Sequence, residues 1–312
     1  MRLVWACLRF SGTQIRRSIV GIIGIGILLH LTVRDQFSRL DGIFYALPMP
    51  VLAGLAGLLV IWPGSSGRQR KGAFIATFVL TIAWLARSWC WNEPEPLQLG
   101  PSQALTVFYW NLSRPAAPSQ DLIDIIHQHQ PDIVGCGEPG PRFWAHEAPY
   151  EAALPSYDCI ISPNGLLLLT KHPAKLNEWG DLNKRGTFAT FSVSAHSGPL
   201  RVVIADVHSD PFKTRRPSLE KVIQLAGKEP RSVIMGDFNT PIESVWFRPF
   251  FENYAHAFST AGRGVRETWF FRLPILSIDH VWVGKGWRVQ DTAKIHRLSS
   301  DHAGLIVRME SQ

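Results

Sequence analysis

Eight positions between 111 and 302 place carboxylate, amide and imidazole side chains at the ends of apolar runs. Asn111 closes "TVFYWN", Glu138 closes "DIVGCGE" and His208 closes "RVVIADVH". Asp237 and Asn239 end "RSVIMGDFN", Asp279 opens "DHVWV", and Asp301 with His302 opens "DHAGLIVRM". Asp, Glu and Asn supply hard oxygen donors of the kind that hold Mg²⁺ or Mn²⁺, and His moves protons or donates hydrogen bonds near neutral pH. Such a mixture suits the attack of water on an anionic ester, where a cation neutralises charge and a positioned group orients the nucleophile. Each residue also has a plain reading: loop acids for Glu138 and Asp301, turn formers for Asn111, Asp237 and Asn239, and hydrogen-bonded strand-edge residues for His208, Asp279 and His302. Their gathering at one place is what would decide for chemistry.

The elements around them read as alternating strands and helices. Strand candidates are "ALTVFYW", "DIVGCGE", "YDCIIS", "GLLLLT", "TFATFSV", "LRVVIADVH", "RSVIMGD", "IDHVWVG" and "HAGLIVRM". Two helices are predicted, over 119–130 behind a Ser119 cap and over 215–228. Four of the runs end in a chemical residue and two begin with one. In antiparallel sheets the end of one strand lies beside the start of its neighbour, so all can meet on one edge. About 210 residues suffice for two sheets packed face to face with helices outside.

The first third is different in kind. Residues 1–99 hold 10 Lys and Arg against 4 Asp and Glu, and residues 100–312 hold 22 against 21, so six of the seven net positive charges lie in the first stretch. A pI near 9.4 is therefore no sign of a nucleic-acid partner for the rest of the chain. Three apolar runs, 18–33, 42–62 and 72–91, predict three transmembrane helices, the first short and aided by snorkelling Arg17 and Arg34. Arg2, Arg9, Arg16 and Arg17 before the first run, and Arg68, Arg70 and Lys71 between the second and third, assign those flanks to the cytoplasm. Three spans then leave the remainder extracytoplasmic. The expected organisation is a membrane anchor over 1–91, a linker over 92–102 and a catalytic domain over 103–312, at the cell membrane with the lipid bilayer as partner; no protein partner is inferable. Cys136 and Cys159 lack metal-site spacing, and buried free thiols are expected over a disulfide.

The order of the eight residues resembles the endonuclease/exonuclease/phosphatase superfamily over about 105–309. "YWNLS" matches the Asn after the first strand, "VGCGEP" the metal-binding Glu, "ADVHSDP" the central His, "GDFN" the signature intact at 236–239, and "SIDHV" with "SSDHAG" the terminal acids and His. Departures are Cys-Gly-Glu where an aliphatic-Gln-Glu is usual, and a short domain. The resemblance implies a four-layer α/β/β/α sandwich of two mixed sheets. It also implies metal ligands Asn111, Glu138 and Asp301, with Mg²⁺ expected and Mn²⁺ the substitute. Catalytic residues are expected at His208, Asp237, Asn239, Asp279 and His302. Asp237 and His302 remain alternative general bases, and Arg185 in "NKRGTF" is a further candidate to hold substrate phosphate. The expected activity is a membrane-anchored phosphodiesterase acting on nucleic acid or a phospholipid head group; the rival is a catalytically silent, membrane-tethered binding module.

Overall fold

The computed structural model describes residues 2–93, 104–211 and 213–312, and most of the expected linker lies outside them. The chain forms two compact units, Met1–Ser88 with Pro211–Thr214, and Trp89–Asp210 with Arg215–Gln312.

The first unit is helical: α1 (Arg2–Leu31), α2 (Asp41–Ala46), α3 (Met49–Val60) and α4 (Gly67–Ser88). Gly26 of α1 lies so close to Leu52 of α3 that an added Cβ would come within 2.6 Å of its side chain, which is why a glycine sits inside this helix. Two helices, over Gly12–Leu31 and Gly67–Ser88, are long and apolar enough to cross a membrane. The run expected as a single second span is broken. Pro48 has no N–H to donate and drives Leu47 out of helical geometry (φ −118°, ψ 52°), so a six-residue and a twelve-residue helix replace one long one. His30 Nε2 donates to the Leu47 carbonyl at the break, 2.9 Å away. The third run also ends early as a helix: its last three residues form strand β1 (Trp89–Trp91).

The second unit continues with β2 (Ala104–Asn111), α5 (Gln120–His129), β3 (Ile133–Gly137), α6 (Glu147–Ala153), β4 (Asp158–Ile161) and β5 (Leu167–Thr170). Then come β6 (Ala174–Asp181), β7 (Gly186–Ala195), β8 (Gly198–Val207), α7 (Arg216–Ala226), β9 (Ser232–Asp237), α8 (Arg248–Asn253), β10 (Tyr254–His256) and α9 (Ala257–Ala261). The last strands are β11 (Arg263–Val265), β12 (Asp279–Gly284), β13 (Trp287–Ile295) and β14 (Gly304–Ser311). They make two six-stranded sheets, ordered β10-β12-β9-β8-β7-β6 and β13-β14-β2-β3-β5-β4, plus a small ribbon β1-β11. Each large sheet is mixed, with one parallel pair, β8–β9 or β2–β3, among antiparallel neighbours. This is the expected α/β architecture of two mixed sheets.

Period-2 alternation sorts each strand between two cores. Leu105, Val107 and Tyr109 of β2, Val202 and Ile204 of β8, Val233 and Met235 of β9, and Val281 and Val283 of β12 face the core between the sheets. The intervening residues Val203, Ile234 and Trp282 pack outward with α7 residues, and Phe108, Trp110 and Cys136 pack with α5. Cys136 and Cys159 sit buried in that last core as free thiols.

Candidate active site

The chemical residues are the continuation of the inter-sheet stripes. Counting by twos along β2 leads from Tyr109 to Asn111, along β9 from Met235 to Asp237, and backwards along β12 from Val281 to Asp279. The registers bring them level: Asp237 pairs with Asp279 on the antiparallel side and with Asp206 of β8 on the parallel side. Three carboxylates therefore stand abreast on one face at the end of the core. Gly236 is what lets β9 run this close, since a Cβ there would lie 2.1 Å from the Ala205 carbonyl oxygen.

The opposite sheet completes the site. Asn111 Nδ2 donates to Asp237 Oδ2 across the two sheets at 3.1 Å, while Asn111 Oδ1 accepts from Ser113 N at 2.9 Å. Asp279 holds His302 Nδ1 with both carboxylate oxygens, at 3.1 and 2.9 Å, and His302 Nε2 lies 3.9 Å from both Asp237 Oδ2 and Asp301 Oδ1. Asp279 thus fixes the ring, and Nε2 points at the carboxylates. Asn239 stands in the left-handed region (φ 44°); its backbone N donates to Asp237 Oδ1 at 2.8 Å and its amide to the Val207 carbonyl at 2.7 Å. Ser113 Oγ and Trp269 Nε1 donate to opposite oxygens of Asp301. Glu138, also left-handed (φ 47°), meets Arg114 Nη2 at 2.6 Å.

His208 lies half-buried just past the end of β8, where the Gly186 turn (φ 87°) approaches its backbone N. Arg185 is exposed in the β6–β7 hairpin at the same end of the sheet. Of the arginines in the loop before β12, Arg266 is bound by Glu243 and Arg263 by Asp291. His280 points the other way: its Nε2 donates to the Thr240 carbonyl at 2.9 Å and its Nδ1 meets His256 Nε2 at 3.1 Å, as strand alternation requires.

Burial and charge set the protonation states. Burial opposes charge on His302, but Asp279, Asp237 and Asp301 outweigh it and lift the imidazole to about 10. Burial, then Glu138, pushes Asp206 up to about 7. Burial also drives Asp237 well above the carboxylate range, with Asp279 and Asp206 adding to the push against the His302 charge. Asp301 goes the other way: burial alone would raise it, and the Ser113 and Trp269 donors with His302 hold it low. The crowded carboxylates offer the hard oxygen donors that a divalent cation takes, whereas His302, within 4.8 Å of Asp237 and Asp279 but held cationic, has no lone pair to give one. The Tyr109 hydroxyl, buried directly beneath them, has no hydrogen-bond partner.

Asp206 escaped the sequence reading, although "VVIADVH" carries it on the same alternation as His208. Ser113 and Arg114 escaped it as well, because loop residues follow no period. The loops at this end are also apolar at their tips: Trp144, Phe270, Phe271, Leu273 and Leu298 are exposed.

Solved structures share this fold. The human Nocturnin catalytic domain with bound sulfate matches with TM-score 0.54 at 16% identity, covering 69% of this chain and 100% of that one. A Bacteroides vulgatus endonuclease/exonuclease/phosphatase matches with TM-score 0.51 at 20% identity (67% and 99% covered), and D. rerio TDP2 complexed with single-strand DNA product with TM-score 0.52 at 14% (67% and 99%). No curated protein matches in sequence. The family model described as Endonuclease/Exonuclease/phosphatase family matches residues 108–302, the span that contains all eight site residues, and the chain belongs to that family.

Proposed function

We propose that the chain is a membrane-anchored, divalent-metal-dependent phosphodiesterase in which water attacks phosphorus. The observation that carries this reading is the row Asp206–Asp237–Asp279 facing Asn111 and a carboxylate-held His302. Asn111, Glu138 and Asp301 are the residues assigned to a Mg²⁺ or Mn²⁺ ion, which when bound neutralises phosphoryl charge. Asp237, raised by burial, takes the role of the base that orients and deprotonates water; its backbone bond from Asn239 and its contact with Asn111 hold the carboxylate in place. His302, kept cationic by Asp279, donates from Nε2 to a phosphoryl oxygen, with Asn239 and His208 as further donors and Arg185 at the rim. A silent binding module is disfavoured because every expected side chain is present in the sequence, whereas a decayed site should have lost at least one.

Asp206 adds a fifth carboxylate to the site, beside Glu138, Asp237, Asp279 and Asp301. Its folded value near 7 lies above its unfolded value of 3.8, so its charge costs stability that is absent below pH 4 and grows as pH rises to 7. Asp206→Asn should therefore stabilise the metal-free chain at pH 8, by at most about 4 kcal/mol, with no gain at pH 4, while weakening Mn²⁺ binding at least about fivefold. Unchanged melting at pH 8 with unchanged Mn²⁺ affinity would remove Asp206 from the site.

Two observations support the membrane reading. The windows over Gly12–Leu31 and Gly67–Ser88 are only 22% and 11% buried, whereas a core helix of a soluble protein is mostly covered; Phe74, Ile75, Phe78, Val79 and Ile82 are all exposed on α4. The segment 41–60, broken at Pro48, serves as a third, discontinuous span. With the arginine flanks inside, an export-dependent reporter should be active at Gln312 and a cytoplasm-dependent one at Ser66; the reverse pattern overturns the topology. Between the two substrate classes, the exposed apolar loop residues at the site favour a phospholipid: Leu273 and Leu298 suit acyl chains alone, while Trp144, Phe270 and Phe271 suit a base or an acyl chain alike. The full chain should hydrolyse phospholipid in mixed micelles at least about tenfold faster than single- or double-stranded nucleic acid. The opposite preference makes it a nuclease.

A further inference from the structure

The helical unit contains a cleft of about 590 Å³ lined by α1, α3, α4 and the turn before α4. Its lining is sorted by chemistry. Arg16, Arg17, Ser65 and Gln69 lie at one end, and Val20, Ile23, Ala56, Leu59, Ala73 and Ala76 form the rest. No Asp or Glu lines it, and neither arginine has an acidic partner among the described residues.

The polar end is built. Gln69 Oε1 accepts from Ser66 N at 3.0 Å while Ser66 Oγ accepts from Gln69 N at 3.3 Å, a reciprocal cap that fixes the first turn of α4. The same Gln69 oxygen accepts from Arg16 Nη1 at 2.7 Å, which holds one guanidinium at the cleft. The Ser65 hydroxyl, also lining it, is buried without a hydrogen-bond partner. A buried hydroxyl lacking a partner is destabilising unless a ligand supplies one. Two cations, an orphaned hydroxyl and an adjoining apolar trough match a phosphate-bearing head group followed by the first part of an acyl chain.

We infer that this cleft binds one anionic phospholipid, its phosphate between Arg16, Arg17 and Ser65 and its acyl chain along Val20, Ile23, Ala73 and Ala76. The inference rests on the membrane-spanning reading, and it deepens it: the cleft lies at the arginine-rich end assigned to the cytoplasm, where anionic lipids are concentrated. It is separate from the catalytic residues, none of which lines it.

The test uses the full chain, extracted in neutral detergent and offered equal amounts of phosphatidylglycerol and phosphatidylcholine, with retained lipid read by native mass spectrometry. The wild type should keep a single phosphatidylglycerol in at least tenfold preference. Arg16→Gln/Arg17→Gln should reduce the preference to about parity, and Ala73→Leu/Ala76→Leu, which fills the trough with both arginines intact, should lower retention of both lipids. Equal retention by the wild type, or full preference in the double-Gln chain, overturns the inference. Alkaline carbonate extraction of membranes is read in parallel. A chain released from the membrane defeats the spanning reading, whereas a chain that stays but shows no preference defeats the lipid site alone.

Discussion

Asp237→Asn is expected to fold and to lose at least about a hundredfold in turnover. The substitution keeps the size of the side chain and an oxygen able to accept from Asn239 N, so the turn that follows β9 retains its hydrogen bond. It removes the group that both contacts Asn111 from the opposite sheet and lies opposite His302 Nε2. Burial and the flanking acids already make the native carboxylate unusually basic, and an amide has no basicity to replace it. His302→Ala should lose turnover by a comparable factor, because Asp279 then holds nothing and no donor remains at the Nε2 position. The two residues act on one transition state, so the double variant should lose far less than the product of the single losses. If Asp237→Asn unfolds while its folded fraction keeps full specific activity, Asp237 is a turn former and nothing more.

How far the sequence disclosed this site follows from what alternates and what does not. The stripes 105-107-109-111, 233-235-237 and 279-281-283 obey a strict period of two, so the residue that ends or begins each stripe is visible as a polar interruption of an apolar face. Asn111, Asp237 and Asp279 could be read in that way, and the structure brings them together with His302. Asp206 obeyed the same rule but was overshadowed by His208, two positions on, which marks the strand end more plainly. Loop partners such as Ser113 and Arg114 reach the site through left-handed turns, which no local pattern encodes. In the helical unit, hydropathy reported the length of the second apolar run but not its break. Pro48 was there to be read, and the geometry it forces on Leu47 divides the helix. The end of the third run was hidden for a similar reason: "WCW" is as apolar as a span, and only pairing with Arg263–Val265 makes it a strand.

Removal of divalent cations should abolish hydrolysis, and this is the second large effect. Without a cation, three carboxylates stand abreast where charge is disfavoured: burial first, and then the neighbouring acids, lift Asp206 to about 7 and Asp237 above the carboxylate range. The proposed ligand set Asn111, Glu138 and Asp301 is all oxygen, and such a set favours Mg²⁺ or Mn²⁺ over ions that seek sulfur or nitrogen. The most direct measurement combines this with the fate of water: the full chain, stripped by chelator and supplied with a phosphodiester in ¹⁸O-labelled water, with and without added Mg²⁺ or Mn²⁺. The account predicts no turnover when stripped and, on restoration, one ¹⁸O atom on the phosphoryl product and none on the released alcohol. Full turnover by the stripped chain, restoration by Zn²⁺ alone, or label on the alcohol would contradict it.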